Sequence, residues 1–232
     1  VANRSGLVGA YYTMHAFANV HGLFGDETEP YLGVSSGGAM SQDDYGKRRA
    51  GPAFGSLTWG LAPALKPNDL IGIAMTRPDL FGADLVAFMA RAAKHIGIVN
   101  GIAESLPVRS NRVELATERD AHGVPLARIV HTHAPESKAL WAHARERGLA
   151  IVEAAGATER WAGPRPDFAH LSGGTIMGKD PGASVTDSFG RTHEVENLFV
   201  AGGGLFPTIG AVSPTFTVLA LADRTAGEIV RG

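Results

Sequence analysis

Apolar and polar positions recur with two different periods along this chain. In "ADLVAFMARAAKHI" (83–96), Leu85, Met89, Ala92 and Ile96 fall on one face at helical spacing. This predicts an amphipathic helix, with Gly97 as its C-terminal stop. "NRVELAT" (111–117) changes to period two through Val113 and Leu115 and reads as a strand; "ERDAHG" is the connecting loop and "PLARIVHTH" (125–133) the returning strand. Pro135 opens a second helix through "ESKALWAHARER", closed by Gly148. Residues 22–82 are rich in Gly and Pro and read as short strands joined by long loops. In the last third, "NLFVAGG" (197–203) reads as a short buried strand and "SPTFTVLALADRTAGEIV" (213–230) as the strongest helix. Ser213 suits its N-cap and Pro214 its first turn; Phe216, Leu219, Ala220 and Ala226 form a broad apolar face that predicts burial. No repeat and no low-complexity tract interrupts the pattern.

Composition narrows the class. The chain has 232 residues, 44% hydrophobic and 19% charged, enough for a sizeable core in one or two domains. No segment approaches the roughly 20 unbroken apolar residues of a membrane-spanning helix. A net charge of −2 and a pI near 6.5 give no sign of nucleic acid or an acidic membrane surface as partner. With no cysteine, these residues contain no disulfide, thiol nucleophile or thiolate metal cluster, and the compartment stays open. The chain opens on "VANRSGLVGA", without an initiator Met or the basic and apolar regions of a signal peptide, and is expected to start within a longer protein.

Candidate chemistry centres on "HLSGGTIMGKDP" (170–181), where a titratable ring precedes paired glycines. Either it is an ordinary loop, or the His170 imidazole serves a reaction and the glycines let a flat ligand approach. Among nine histidines, His95, His122 and His143 look like surface residues. His131 and His133 share one face of the predicted returning strand but lack a third metal ligand. Gly33-Val34-Ser35-Ser36-Gly37 matches the G-x-S-x-G elbow of serine hydrolases, but Pro30 precedes it and "GAMSQDDYG" follows with little helical character. Gly202-Gly203-Gly204 is neither a P-loop nor a dinucleotide fingerprint. The 197–203 strand, its glycines and the capped 213–230 helix do form an arrangement suited to an anion or dipole at the helix N-terminus.

Taken in order, "HLSGGTIMGKDPGASVTD" and "RTHEVENLFVAGGGLFPTIGAVSPTFTVLALADRTAGEI" resemble the C-terminal signature of the glucose–methanol–choline (GMC) family of FAD-dependent oxidoreductases. The likeness is greatest to its bacterial sugar and gluconate dehydrogenase branch. "ANRSGLVGAYYTMHAF" is similar to the family's Ser-Gly-x-Val-Gly segment, with His15 on a family histidine. The likeness is strong over residues 1–20 and 165–232 and holds only in outline between them. It implies a mixed α+β and α/β fold: a substrate domain with an antiparallel sheet flanked by helices, and the C-terminal part of a Rossmann-like FAD domain. On that plan residues 1–20 leave the FAD domain, 21–165 form the substrate domain and 166–232 return to the FAD domain.

The resemblance further implies oxidation of an alcohol or sugar CH–OH group, with hydride passing to flavin N5 and His170 as base. Ser213 stands where the family usually has Asn or His; Gly202 stands where many members have Asp, and Met14 precedes His15 where Asp is common. Gly202, Gly203, Pro214, Thr215 and Phe216 are the expected FAD contacts, the last two donating backbone N–H groups towards the flavin pyrimidine edge. The family's G-x-G-x-x-G and its βαβ unit have no counterpart here, so the expectation is a C-terminal part that lacks the N-terminal FAD-binding portion and is inactive alone. An electron-acceptor subunit is a further implied partner. The alternatives are a non-catalytic binding or scaffolding remnant of the fold, or a serine hydrolase using Ser35.

Overall fold

The computed structural model describes residues 2–32, 38–46, 49–50, 53–61 and 65–231. In chain order the elements are β1 (Thr13–Leu23), β2 (Met40–Ser41), β3 (Arg49–Ala50), β4 (Ala53–Phe54), β5 (Leu57–Leu61), α1 (Asp69–Ala74), α2 (Gly82–His95), β6 (Ile96–Ala103), β7 (Arg112–Arg119), β8 (Pro125–Val130), α3 (Pro135–Ala154), β9 (Glu159–Ala162), β10 (Asp167–Ser172) and α4 (Thr215–Arg231). The chain forms two compact units. Unit 1 comprises Val1–His15, Ser105–Pro135 and Ala169–Gly232, and unit 2 comprises Ala16–Glu104 and Glu136–Phe168. The β7–β8 hairpin, inside the 21–165 segment, belongs to unit 1.

Unit 2 is built on the six-stranded sheet, whose order is β10-β1-β6-β5-β2 with β9 also pairing with β1. β1 runs antiparallel to β6 and β9, and β5 antiparallel to β6 and β2. Strand alternation sends Ala18, Val20, Trp59, Val99 and Ala103 to one face, where Leu140, Ala144 and Val152 of α3 cover them. Leu23 and Ile96 pack instead with Phe88 and Ala92 of α2 and Ile73 of α1. This is the antiparallel sheet flanked by helices that the family resemblance implied.

Two expected helix stops have other roles. α3 runs straight through Gly148, because a Cβ there would lie 2.6 Å from Val20 Cγ2 and 3.3 Å from Trp59 Cζ3. Glycine is needed so that the helix can sit close on the sheet, which outweighs its poor helix propensity. α2 passes directly into β6: Ile96 is already extended at φ −87°, ψ 140°, and Gly97 lies in the strand against the Phe24 ring.

In unit 1, β7 and β8 form an antiparallel hairpin with Val113 opposite Ile129 and Leu115 opposite Ala127. β8 ends at Val130, so His131 and His133 lie beyond the strand rather than on its face. The expected strand at 197–203 is absent. Phe199 makes a single bridge to Arg191, Leu198 is 38% exposed, and residues 203–205 form a short 3-10 turn. A strand needs a ladder, and among the described residues no neighbour extends beyond that one bridge. α4 forms where expected, yet of its residues only Thr225 is buried. Among the described residues, no helix is long and apolar enough to cross a membrane.

Candidate active site

The site in unit 1 is assembled by the run after β10. Gly173 N and Thr175 N donate to Gly203 O and Gly204 O at 3.0 and 3.1 Å, and Met177 N donates to Leu205 O at 2.9 Å. On the other side Gly174 N donates to Ala10 O at 3.0 Å, while Gly174 O accepts from Gly9 N at 2.6 Å. The 173–177 segment is thus laced to 203–205 and to 9–10. The lacing explains two glycines. At Gly173, φ is +78° and a Cβ would stand 2.1 Å from Tyr11 O; at Gly203 a Cβ would stand 2.7 Å from Leu171 O. The chain's own backbone fills both spaces. Gly202 differs: its φ is +103° and nothing lies within 4 Å of its missing Cβ, so it presents bare backbone to open space.

This lacing holds His170 in the left-handed region at φ +60°, a conformation uncommon outside glycine and concentrated at functional sites. Its Nδ1 lies 2.8 Å from Nδ1 of His15, and Nε2 of His15 lies 2.6 Å from Gly210 O. The proton positions follow. A carbonyl oxygen only accepts, so His15 Nε2 carries the hydrogen. The neutral His15 ring then presents a lone pair at Nδ1, and His170 Nδ1 donates to it. The hydrogen of neutral His170 is therefore on Nδ1, and its Nε2 carries the lone pair.

Electrostatics keep both rings neutral. His15 is fully buried, and its pKa is lowered to about 4, chiefly by burial and further by the neighbouring His170, against the opposing bond to Gly210. Burial also lowers the pKa of His170 below the ordinary histidine range. A neutral imidazole is the form required of a general base near pH 7.

The bond to His15 also brings the 206–213 loop to the site, since Gly210 is three residues ahead of Ser213. Ser213 is exposed. The first carbonyl to accept a helical bond is Pro214 O, from Val218 N at 2.9 Å, so Pro214 takes the cap position and Ser213 precedes it. The next helical N–H groups, those of Thr215 and Phe216, have no acceptor within α4, and both residues are exposed. Such donors, with the bare backbone of Gly202, suit the acceptor edge of a flavin. His15 was the least legible member of the site. It carried a family likeness, but only the fold shows it touching His170, 155 residues away. The Gly33–Gly37 elbow with Ser35 lies outside the described residues. His131 and His133 stack edge to face at 4.7 Å, and the described residues contain no group able to hold a metal ion.

Comparisons with known proteins find likeness over much of the chain. The fructose dehydrogenase large subunit of Gluconobacter japonicus is 34% identical over 166 residues, covering 70% of this chain and 30% of that protein. The gluconate 2-dehydrogenase flavoprotein of Pantoea cypripedii is 24% identical over 245 residues, covering 97% of this chain and 39% of that protein. The fold matches a crystal structure of pyridoxine 4-oxidase from Mesorbium loti with a TM-score of 0.60 at 18% identity, over 97% of this chain and 44% of that one. The chain therefore spans less than half the length of each. Residues 107–222, which include His170 and the loop that Gly210 anchors, match the GMC oxidoreductase family model. With half of its length inside that match, the chain belongs to the GMC oxidoreductase family.

Proposed function

We propose that this chain is the C-terminal part of an FAD-dependent oxidoreductase that acts on a CH–OH group of an alcohol or sugar, with His170 as the base. The observation that carries the reading is the run of contacts from His170 Nδ1 through His15 to Gly210 O, from which the proton order with the lone pair on His170 Nε2 is inferred. That nitrogen takes the substrate hydroxyl proton. His15 acts behind it: its lone pair accepts from His170 Nδ1–H, a bond that strengthens as His170 becomes positively charged. Ser213 both donates and accepts, and so is able to hold the substrate hydroxyl. GMC oxidoreductases are in general FAD-dependent, and FAD, when bound, supplies the hydride acceptor. The N–H groups of Thr215 and Phe216, led by Pro214, and the open backbone of Gly202 would hold its edge.

An N-terminal FAD-binding portion completes the cofactor site. The state of α4 supports this: Phe216 is 89% exposed, Leu219 61% and Val230 87%, an apolar stripe that a soluble fold normally covers. The chain alone is then expected to bind FAD weakly and to turn nothing over. The word "subunit" in the name of the fructose dehydrogenase relative supports a separate electron-acceptor subunit as a further partner.

The test uses the longer enzyme carrying this sequence. His170→Asn keeps a residue that tolerates positive φ and removes the base. The expected result is turnover reduced by roughly 10²–10⁴ with flavin absorbance retained. Undiminished turnover overturns the role of His170. An intense flavin spectrum and full turnover from the chain alone overturn the need for the N-terminal portion.

A further inference from the structure

His170 sits on a bend inside a strand. β10 runs from Asp167 to Ser172 and pairs with β1, yet His170 within it has φ +60°. A single left-handed residue breaks the alternation of a strand and re-aims its side chain, as bulges do beside functional sites. For a residue with a Cβ this conformation is disfavoured, because the Cβ crowds the following carbonyl oxygen. It persists only where the surroundings hold it.

Ser172 is placed to hold it. The residue is 2% exposed, and its Oγ donates to His170 O at 3.2 Å. This bond reaches back two residues and closes the bend across Leu171, giving the carbonyl of the bent residue a donor. Leu171 itself is 60% exposed, so burial of its own side chain does not fix the turn. Gly203 leaves the hydroxyl its room: a Cβ there would stand 2.7 Å from Leu171 O and 3.5 Å from Ser172 Oγ. Beyond the bend the backbone is fixed again, by Gly173 N to Gly203 O and Gly174 N to Ala10 O. The Ser172 hydroxyl thus ties the bend itself to the stretch that follows it.

We infer that Ser172 is a positioning residue for His170: its hydroxyl fixes the left-handed backbone that lays His170 Nδ1 on Nδ1 of His15. That contact is directional, 2.8 Å long with the rings 89° apart, so a relaxed backbone at 170 carries the ring off its acceptor. The tautomer goes with it. His15 is what favours the hydrogen on His170 Nδ1, and a ring freed from His15 shares that hydrogen between its two nitrogens. The consequence for turnover rests on the reading of His170 as the base; the consequence for the ring does not.

The test is solid-state nitrogen-15 NMR of the histidine rings in the longer enzyme carrying this sequence, at about pH 8, where neutral rings prevail. The His170 signals are those lost in His170→Asn. They are expected to show a protonated Nδ1 and a bare Nε2. In Ser172→Ala the two signals are expected to move towards each other, with flavin absorbance retained. Ser172→Thr restores a hydroxyl and is expected to keep the native signals. Ser184→Ala removes an equally buried hydroxyl, bonded to Asp180 O at 2.7 Å, and is expected to leave them unmoved. It separates hydroxyl from packing if Ser172→Thr does not fold. Unmoved His170 signals in Ser172→Ala overturn the inference, and so does an equal movement in Ser184→Ala. Ser172→Ala is also expected to lower kcat roughly 2- to 10-fold with KM little changed. Ring signals that move while kcat stays the same uphold the positioning by Ser172 and overturn instead the reading of His170 as base.

Discussion

His15 and His170 meet nitrogen to nitrogen, Nδ1 to Nδ1 at 2.8 Å, with their rings 89° apart. Both His15 nitrogens are engaged by protein atoms, so under the proposed function His15 positions His170 rather than contacting substrate. His15→Phe in the complete enzyme keeps a buried ring and removes the acceptor. We expect kcat to fall roughly 10- to 100-fold with KM little changed. The acid limb of the kcat profile should move to lower pH, because the positively charged His170 loses a stabilising acceptor. An unmoved limb makes His15 a packing residue only.

Acid should destabilise the fold in a defined window. His15 and His21 each have a folded pKa of about 4, below the ordinary 6.5. The unfolded chain thus binds more protons between these values, so stability is complete above pH 6.5 and falls as pH drops towards 4. Each histidine contributes on the order of 3 kcal/mol to that loss. Urea unfolding at pH 7, 5.5 and 4.5 measures it, and His21→Phe should flatten the slope.

Two glycines with nearly equal φ separate strain from collision. Gly123, at φ +77°, has nothing near its missing Cβ, whereas Gly173, at φ +78°, faces Tyr11 O at 2.1 Å. Gly123→Ala should cost about 1–2 kcal/mol, the conformational term alone. Gly173→Ala should cost more than about 4 kcal/mol or prevent folding, because backbone must move. Denaturant midpoints compare the two directly.

The uncovered stripe of α4 should bind a hydrophobic dye. Leu219→Gln with Val230→Gln is expected to lower the anilinonaphthalene sulfonate fluorescence of the isolated chain and leave helicity unchanged. Unchanged fluorescence would show that the stripe is covered in solution.

Local periodicity exposed α2, the β7–β8 hairpin and α4, because each carries its pattern within about twenty residues. It missed β1, whose "TMHAFANVHGL" is buried on both faces and so does not alternate. It misread Gly148 because the reason for that glycine, contact with Val20 and Trp59, is distant in sequence. The strand expected at 197–203 had the right residues and no ladder to join. At the candidate site, the motif singled out His170, whereas its contact with His15, 155 positions away, is visible only in the fold. Burial of α4 was expected from its apolar face, but an apolar face reports what a helix requires, not what the chain at hand supplies.

The hydrogen-bond chain behind His170 ends on the Gly210 carbonyl, which has no proton to give and takes none. A proton that enters at His170 Nε2 has no onward route through the buried His15, which resists a second proton. Under the proposed role of His170, the proton that it accepts therefore returns through the same nitrogen.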